Sequence, residues 1–150
     1  MTKKIISIPP NYFFLCIIVS IALFFACKQF NIIEFPLNII FGMPLLILGI
    51  YLIIISHFLL EKNNTPEKFQ KTTYLVKGGI YKYSRNPMYL GFVILLFGIS
   101  FVLGNLISFI SPVFFFVVIN WMFIPYEEEK MKVEIGLEYL EYIKKVRRWI

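Results

Sequence analysis

The stretch that decides the fold is "RNPMYLGFVILLFGISFVLGNLISFISPVFFFVVINWMFIPYEEE", residues 85–129. It contains two long apolar runs that are separated only by Gly104-Asn105. Each run is close to the ~17–25 residues that a helix needs to cross the hydrocarbon of a bilayer. Because Gly-Asn is a turn signal and the connection is so short, the runs predict a tight antiparallel helical hairpin. Residues 85–89 and 127–129 should then return to the same face of the membrane.

Two more apolar runs, 12–30 and 39–60, precede this hairpin. Across these runs and the hairpin runs 87–103 and 106–124, the only charged residue is Lys28, near the end of its run. The 150 residues are 59% hydrophobic, more than soluble domains normally contain. We therefore predict an all-α polytopic membrane protein with about four transmembrane helices, built as a single domain over residues 1–150. Residues 61–86 form a loop and residues 125–150 a tail.

The net charge of +6 is distributed unevenly along the chain. Basic residues precede the first run, fill the 61–86 loop and follow the fourth run: Lys3, Lys4, Lys62, Lys68, Lys71, Lys77, Lys82, Arg85, Lys130, Lys132, Lys144, Lys145, Arg147 and Arg148. This alternation follows the positive-inside rule. It predicts a bacterial-type inner-membrane protein with both termini and the 61–86 loop in the cytoplasm, and it disfavours nucleic acid as the partner.

The tail is charged but periodic. Apolar residues recur at spacings of three and four, which is typical of an amphipathic helix: Met131, Ile135, Tyr139, Tyr142, Ile143, Val146 and Ile150. Three carboxylates, Glu127 to Glu129, stand where this helix would begin and would suit the positive end of its dipole. Gly136 interrupts the middle, which indicates a bend or a close contact. The simplest interpretation is a C-terminal helix on the cytoplasmic surface of the bilayer.

Polar and aromatic residues cluster just before the third run. Asn86 and Pro87 are explained as the cap and first residue of a helix. That role does not explain the nearby Tyr81, Arg85 and Tyr89. With the carboxylates across the hairpin, this set would suit a ligand that is cationic, aromatic and partly polar, since a Tyr–cation contact is worth ~0.5–2 kcal/mol.

His57 is the one histidine of the chain, and its sequence neighbourhood offers a single carboxylate, Glu61. A packed or interfacial histidine is therefore favoured over a catalytic base. The spacing of the two cysteines, Cys16 and Cys27, contains no metal or redox motif. We predict no metal site.

The ordered motifs "LVKGGIYKYSRNPMYLG" and "EEEKMKVEIGLEYLEYIKKVRRW" resemble the isoprenylcysteine carboxyl methyltransferase and phospholipid methyltransferase superfamily of integral membrane enzymes. The resemblance covers residues 65–150. It rests on a Leu-Val pair, Gly-x-Tyr, Arg-Asn-Pro-x-Tyr, Glu-Glu, Ile135-Gly136 where the family has Phe-Gly, Tyr-x-x-Tyr and Val-x-Arg, in that order.

This resemblance implies methyl transfer from S-adenosylmethionine to a lipid or a lipidated acceptor in the bilayer. It implies that the cofactor is held by residues before and at the start of the third run and by an acidic residue of the tail. The residues carried over are Thr73, Tyr74, Leu75, Val76, Tyr81, Asn86, Pro87, Met88, Tyr89 and Glu127. No single catalytic residue is implied, because a sulfonium methyl group is already activated.

Two departures bear on the acceptor. Prenylcysteine enzymes usually carry His at the position of Asn86, and an Arg at the position of Phe123 that meets the substrate carboxylate. A prenylcysteine carboxylate and a phospholipid amine both remain open as acceptors. Two other functions also remain: an NADPH-dependent reductase of the sterol-reductase type, and a non-enzymatic protein whose basic loop binds anionic lipid. The sequence does not predict the oligomeric state.

Overall fold

A computed structural model describes residues 9–28, 38–62 and 74–150. Lys3, Lys4, Lys68, Lys71 and Thr73 lie outside these residues. The described part is helical and contains no β-strand, which confirms the all-α class. Its α-helices are α1 (Pro9–Lys28), α2 (Asn38–Lys62), α3 (Pro87–Leu103), α4 (Ile110–Val118), α5 (Ile124–Ile135) and α6 (Leu137–Lys145). Short 3-10 helices cover Gly79–Lys82 and Leu106–Phe109, and a π-helical turn covers Ile119–Phe123.

Two helical segments are long and apolar enough to cross a membrane: Ile39–Lys62 and Leu106–Ile135. The apolar parts of α1 and α3, Asn11–Ala26 and Pro87–Leu103, are shorter. Large apolar side chains of α2 stand exposed on the isolated chain, among them Ile39, Ile47, Ile54 and Phe58. Such exposure suits contact with lipid rather than with water.

Helix α2 packs closely against α3 through glycines that lie two turns apart on each helix. A Cβ added at Gly49 would meet the backbone of α3, at 2.9 Å from the carbonyl oxygen of Gly91. A Cβ at Gly42 would lie 3.0 Å from the carbonyl oxygen of Gly98. Small residues at a membrane helix interface let the backbones approach. This packing places the cytoplasmic end predicted for α2 beside the start of α3.

The predicted reversal at Gly104-Asn105 is confirmed. Gly104 ends α3 in the left-handed conformation (φ 65°), which glycine adopts without steric cost. The Asn105 side chain then accepts a 2.8 Å hydrogen bond from the backbone N–H of Ile107 and caps the next helix. Ser100 Oγ donates to the carbonyl of Ser108 at 2.9 Å across the turn. The start of α3 and the far end of the fourth run therefore meet at the opposite end of the hairpin.

The tail differs from the single helix that its periodicity predicts. The helical segment Leu106–Ile135 is continuous, so no free helix start lies near Glu127, and the predicted dipole stabilisation is wrong. The segment ends at Gly136, where φ 69° and ψ −132° break the helix before α6, which confirms the bend predicted at this glycine. Tyr139, Tyr142 and Val146 pack with Leu75 in a small core, whereas Ile150 is 75% exposed and leaves the predicted stripe.

Candidate functional site

The open end of the hairpin brings the start of α3 against the start of α5. Tyr89, which is 9% exposed, donates a hydrogen bond of 2.7 Å from Oη to Glu127 Oε1. The predicted proximity of residues 85–89 to the carboxylates is thus confirmed for Glu127, and Glu128 also faces this region. It is wrong for Glu129, whose side chain is 70% exposed and pairs with Lys132 on its own helix.

Glu128 is held between two guanidinium groups. Arg85 Nη1 lies 3.1 Å from Glu128 Oε1, and Arg148 contacts both carboxylate oxygens, from Nη2 at 2.7 Å and from Nε at 3.1 Å. Hydrogen bonding to Glu128 raises the pKa of Arg148, so this guanidinium stays charged. A two-pronged contact of this kind fixes geometry as well as charge. Both carboxylate oxygens of Glu128 are therefore paired with arginines of the chain itself.

Glu127 retains capacity for a further partner. A carboxylate can accept about four hydrogen bonds, and Tyr89 supplies one, from a neutral hydroxyl. An ammonium group could add a charge-assisted hydrogen bond on the same carboxylate, and such bonds are about twice as strong as neutral ones. Two adjacent residues of similar chemistry thus have different roles available to them.

Asn86 and Pro87 begin α3 in a way that the sequence predicts only in part. Pro87 occupies the first turn and is fully buried. Asn86 precedes the helix, but its side chain makes no capping hydrogen bond, which corrects the predicted cap. Its amide instead donates to the backbone carbonyl of Arg148 at 3.0 Å, because the C-terminal segment crosses the helix start here.

The segment before α3 forms one wall of this region. Leu75 and Val76 are each 6% exposed, and Tyr81 is 7% exposed. Tyr142 Oη donates to the carbonyl oxygen of Tyr81 at 2.6 Å. Burial raises the pKa of Tyr142 to about 12, so its phenol remains a donor at neutral pH.

The other predicted residues are placed less centrally. Tyr74 is 52% exposed, and Met88 is half-buried. Thr73 lies outside the described residues. His57 Nε2 lies 3.4 Å from Glu61 Oε1, and both side chains are largely exposed near the end of α2. Within residues 9–28, 38–62 and 74–150, no group of three or more His, Cys, Asp or Glu side chains could hold a metal ion.

Sequence reasoning missed the part that Asn120 plays. Asn120 Oδ1 accepts from Trp149 Nε1 at 3.1 Å and from Arg148 Nη1 at 3.4 Å. It lies in the π-helical turn Ile119–Phe123, a rare geometry that occurs frequently at functional sites. An amide within an apolar membrane run is itself a signal, because polar groups at that depth need partners.

Comparison with known proteins agrees with these features. The family model for phospholipid methyltransferase matches residues 37–135, from the start of α2 to the end of α5. Protein-S-isoprenylcysteine O-methyltransferase B of Arabidopsis thaliana is 41% identical over 76 residues, which cover 48% of this chain and 36% of that protein. The Schizosaccharomyces pombe protein-S-isoprenylcysteine O-methyltransferase is 38% identical over 95 residues, 61% of this chain and 36% of that protein.

An uncharacterized protein of Haemophilus influenzae is 36% identical over 63 residues, which cover 42% of this chain and 100% of that protein. The chain thus covers only 36% of the length of the plant and yeast relatives. No solved structure matches.

Two helical segments long enough to cross a bilayer, with the exposed apolar side chains of α2, indicate an integral membrane protein. The match to residues 37–135 places it more closely: the chain belongs to the phospholipid methyltransferase family.

Proposed function

We propose that this chain is an S-adenosylmethionine-dependent methyltransferase that acts on a lipophilic acceptor at the membrane surface. The observation that carries the proposal is the Tyr89–Glu127 hydrogen bond at the open end of the hairpin, in a member of this family. The names of the plant and yeast relatives support the reaction class.

The chemistry of these residues fits the cofactor. S-adenosylmethionine carries a sulfonium and an ammonium, and Glu127 offers a carboxylate oxygen to the ammonium. Tyr81 and Tyr89 offer aromatic faces to a cation, at ~0.5–2 kcal/mol for each contact. The proposed cofactor-binding set is Thr73, Tyr74, Leu75, Val76, Tyr81, Asn86, Pro87, Met88, Tyr89 and Glu127.

When bound, the cofactor supplies a methyl group that its positively charged sulfur already activates. The chain's own task is then to position donor and acceptor and to exclude water. Tyr89 orients the Glu127 carboxylate, and buried Leu75, Val76 and Pro87 provide an apolar wall. Holding two reactants in line can supply up to ~7–11 kcal/mol of a barrier in the best intramolecular models.

We further propose that the chain crosses the membrane four times. The two longer segments and the shorter helices α1 and α3 each cross it once. The 17 residues of α3 measure about 26 Å at ~1.5 Å per residue, close to the ~30 Å of hydrocarbon. The basic residues assign both termini and the 61–86 loop to the cytoplasmic side. The Tyr89–Glu127 pair then lies at the level of the cytoplasmic headgroups, where a lipid acceptor can reach it.

The acceptor is proposed only as a class. Phe123, at the position of the prenylcysteine enzymes' substrate-binding Arg, is 2% exposed and packs edge-on against Tyr12 at 5.4 Å. An apolar residue there cannot pair with a carboxylate. A prenylcysteine carboxylate must therefore find another cation, whereas a phospholipid amine needs none.

Titration of the detergent-purified protein with S-adenosylmethionine and NADPH tests the reaction class. We expect saturable binding of S-adenosylmethionine, and we expect Tyr89→Phe to weaken it by about tenfold, because a hydrogen bond to a charged group contributes ~1.5–3 kcal/mol. Tyr83→Phe, which alters a tyrosine that is 73% exposed, is the matched control and should change the affinity by less than about twofold. Saturable binding of NADPH alone would instead support the reductase.

A further inference from the structure

The C-terminal segment Val146–Trp149 crosses the start of α3 in an extended conformation. Val146 leaves α6 with φ −120° and ψ 130°. The backbone N–H of Arg85 donates to the carbonyl of Arg147 at 3.1 Å. The carbonyl of Arg148 accepts from Asn86 Nδ2 at 3.0 Å and from Ser84 Oγ at 3.4 Å. The segment is therefore bound to the three residues that directly precede α3.

The side chains of the same segment bind the other arm of the hairpin. Arg148 contacts Glu128 through Nη2 and Nε, and its Nη1 reaches the carbonyl of Asn120 at 3.5 Å. Trp149 donates to Asn120 Oδ1 at 3.1 Å, and its ring packs on Phe116 at 5.0 Å. The segment thus links α3 to the π-helical turn and to α5.

These contacts bear directly on Glu127. Glu127 and Glu128 are consecutive on α5, so fixing Glu128 also fixes the rotation of the helix and the direction of Glu127. Arg85 holds Glu128 from the α3 side, and Arg148 holds it from the C-terminal segment. Loss of the Arg148 contact would leave Glu128 with one ion pair, to Arg85, and would loosen the rotation of α5 against α3.

We propose that Val146–Trp149 is a clamp that sets the Tyr89–Glu127 geometry, and that Arg148 is its positioning residue. The inference rests on the proposed cofactor role of Glu127. The clamp would thus contribute to cofactor affinity, although it lies beyond residues 37–135, the region that the family model matches.

The test uses Trp149 as a built-in probe. In a Trp121→Phe background, which removes the other tryptophan, Trp149 fluorescence reports whether the segment is seated. Arg148→Gln should shift this emission to longer wavelength and weaken S-adenosylmethionine binding by about tenfold, since it removes charge-assisted hydrogen bonds. Arg148→Lys keeps the charge but loses the two-pronged guanidinium contact with Glu128, and it should weaken S-adenosylmethionine binding nearly as much.

Lys145→Gln is the matched control. It removes the same charge from the last residue of α6, just before the clamp, where the side chain is exposed, and should alter neither emission nor affinity. Trp149→Phe is a second variant, which still tests the proposal if the Arg148 variants do not fold. It keeps a ring on Phe116 but removes the donor to Asn120, and it should weaken S-adenosylmethionine binding by a smaller factor.

The outcomes separate the two proposals. A shifted emission with unchanged affinity in Arg148→Gln would overturn the positioning role and leave the methyltransferase proposal standing. Equal losses of affinity in Lys145→Gln and Arg148→Gln would overturn it as well. Failure of the parent protein to bind S-adenosylmethionine would instead overturn the proposed function. It would also overturn the role of the clamp in cofactor affinity.

Discussion

Glu127 and Glu128 show how adjacent residues of one chemistry acquire different roles. Glu127 receives a hydrogen bond from the neutral hydroxyl of Tyr89, and Glu128 lies between the charged groups of Arg85 and Arg148. The difference arises from helical geometry, because consecutive residues point in directions about 100° apart. The sequence predicts that carboxylates lie here, and the resemblance to known enzymes favours Glu127 as the ligand. Only the structure pairs Glu128 with both arginines.

Tyr142 provides a pH-dependent prediction at the residue scale. Burial raises its pKa from 10.0 to about 12, so the folded state favours the protonated phenol that donates to Tyr81. The stability contributed by this difference is fully present below about pH 10 and is lost as the pH rises through about 12.

Chemical unfolding of the parent protein and of Tyr142→Phe across this pH range checks the prediction. Tyr142→Phe should be less stable by a constant amount up to about pH 10, and the difference should shrink above it. A difference that stays constant through the alkaline range would contradict the assigned burial. Tyr83→Phe, at an exposed position, should follow the parent protein throughout.

At the scale of elements, the backbone at Gly136 separates α5 from α6. Its φ of 69° with ψ −132° is a conformation that residues with a Cβ rarely adopt. Within the described part of the chain, a Cβ at Gly136 would meet open space, so strain is the one expected cost of a side chain. Gly136→Ala should therefore lower the free energy of unfolding by about 1–3 kcal/mol.

Gly78→Ala is the control for this prediction, because Gly78 has an ordinary φ of −88° and equally open surroundings. Thermal unfolding in detergent compares the two variants. Equal melting temperatures for Gly136→Ala and Gly78→Ala would show that the break in the helix is not strained.

The local sequence pattern predicts some of the structural elements but not others. The Gly104-Asn105 turn follows from residue type, because Gly and Asn favour a reversal of the chain. The continuous helix through Glu127 does not follow, since Pro125 and the change from apolar to charged residues suggest a new start. The π-helical turn contacts Arg148 and Trp149 through Asn120, and no local pattern predicts contacts between residues so far apart in the chain.

At the scale of the whole molecule, the number of membrane crossings determines on which side each charged segment lies. Four crossings place Lys82 and Lys144 on the same side and Leu106 on the other. Two crossings, by Ile39–Lys62 and Leu106–Ile135 alone, would place Lys82 and Lys144 on opposite sides. The two arrangements therefore predict different labelling patterns.

Single cysteines at these three positions, in a background with Cys16 and Cys27 replaced by Ser, test the arrangement in intact cells. A membrane-impermeant maleimide should label the cysteine at position 106 and should label those at 82 and 144 only after the membrane is opened. Labelling of position 144 from outside would contradict four crossings.

The central claim, that the hairpin end holds a methyl donor through Glu127, is tested most directly by transfer of a labelled methyl group. Purified protein is incubated with methyl-labelled S-adenosylmethionine and a membrane lipid extract, and the organic-soluble product is then treated with mild base. Base releases the label of a methyl ester as volatile methanol, whereas the label of an N-methyl group stays non-volatile. We predict transfer by the parent protein and, for Glu127→Gln, a loss of about tenfold or more at limiting cofactor, because the ammonium loses a charged partner. Undiminished transfer by Glu127→Gln, or no cofactor-dependent transfer by the parent protein, would contradict the account.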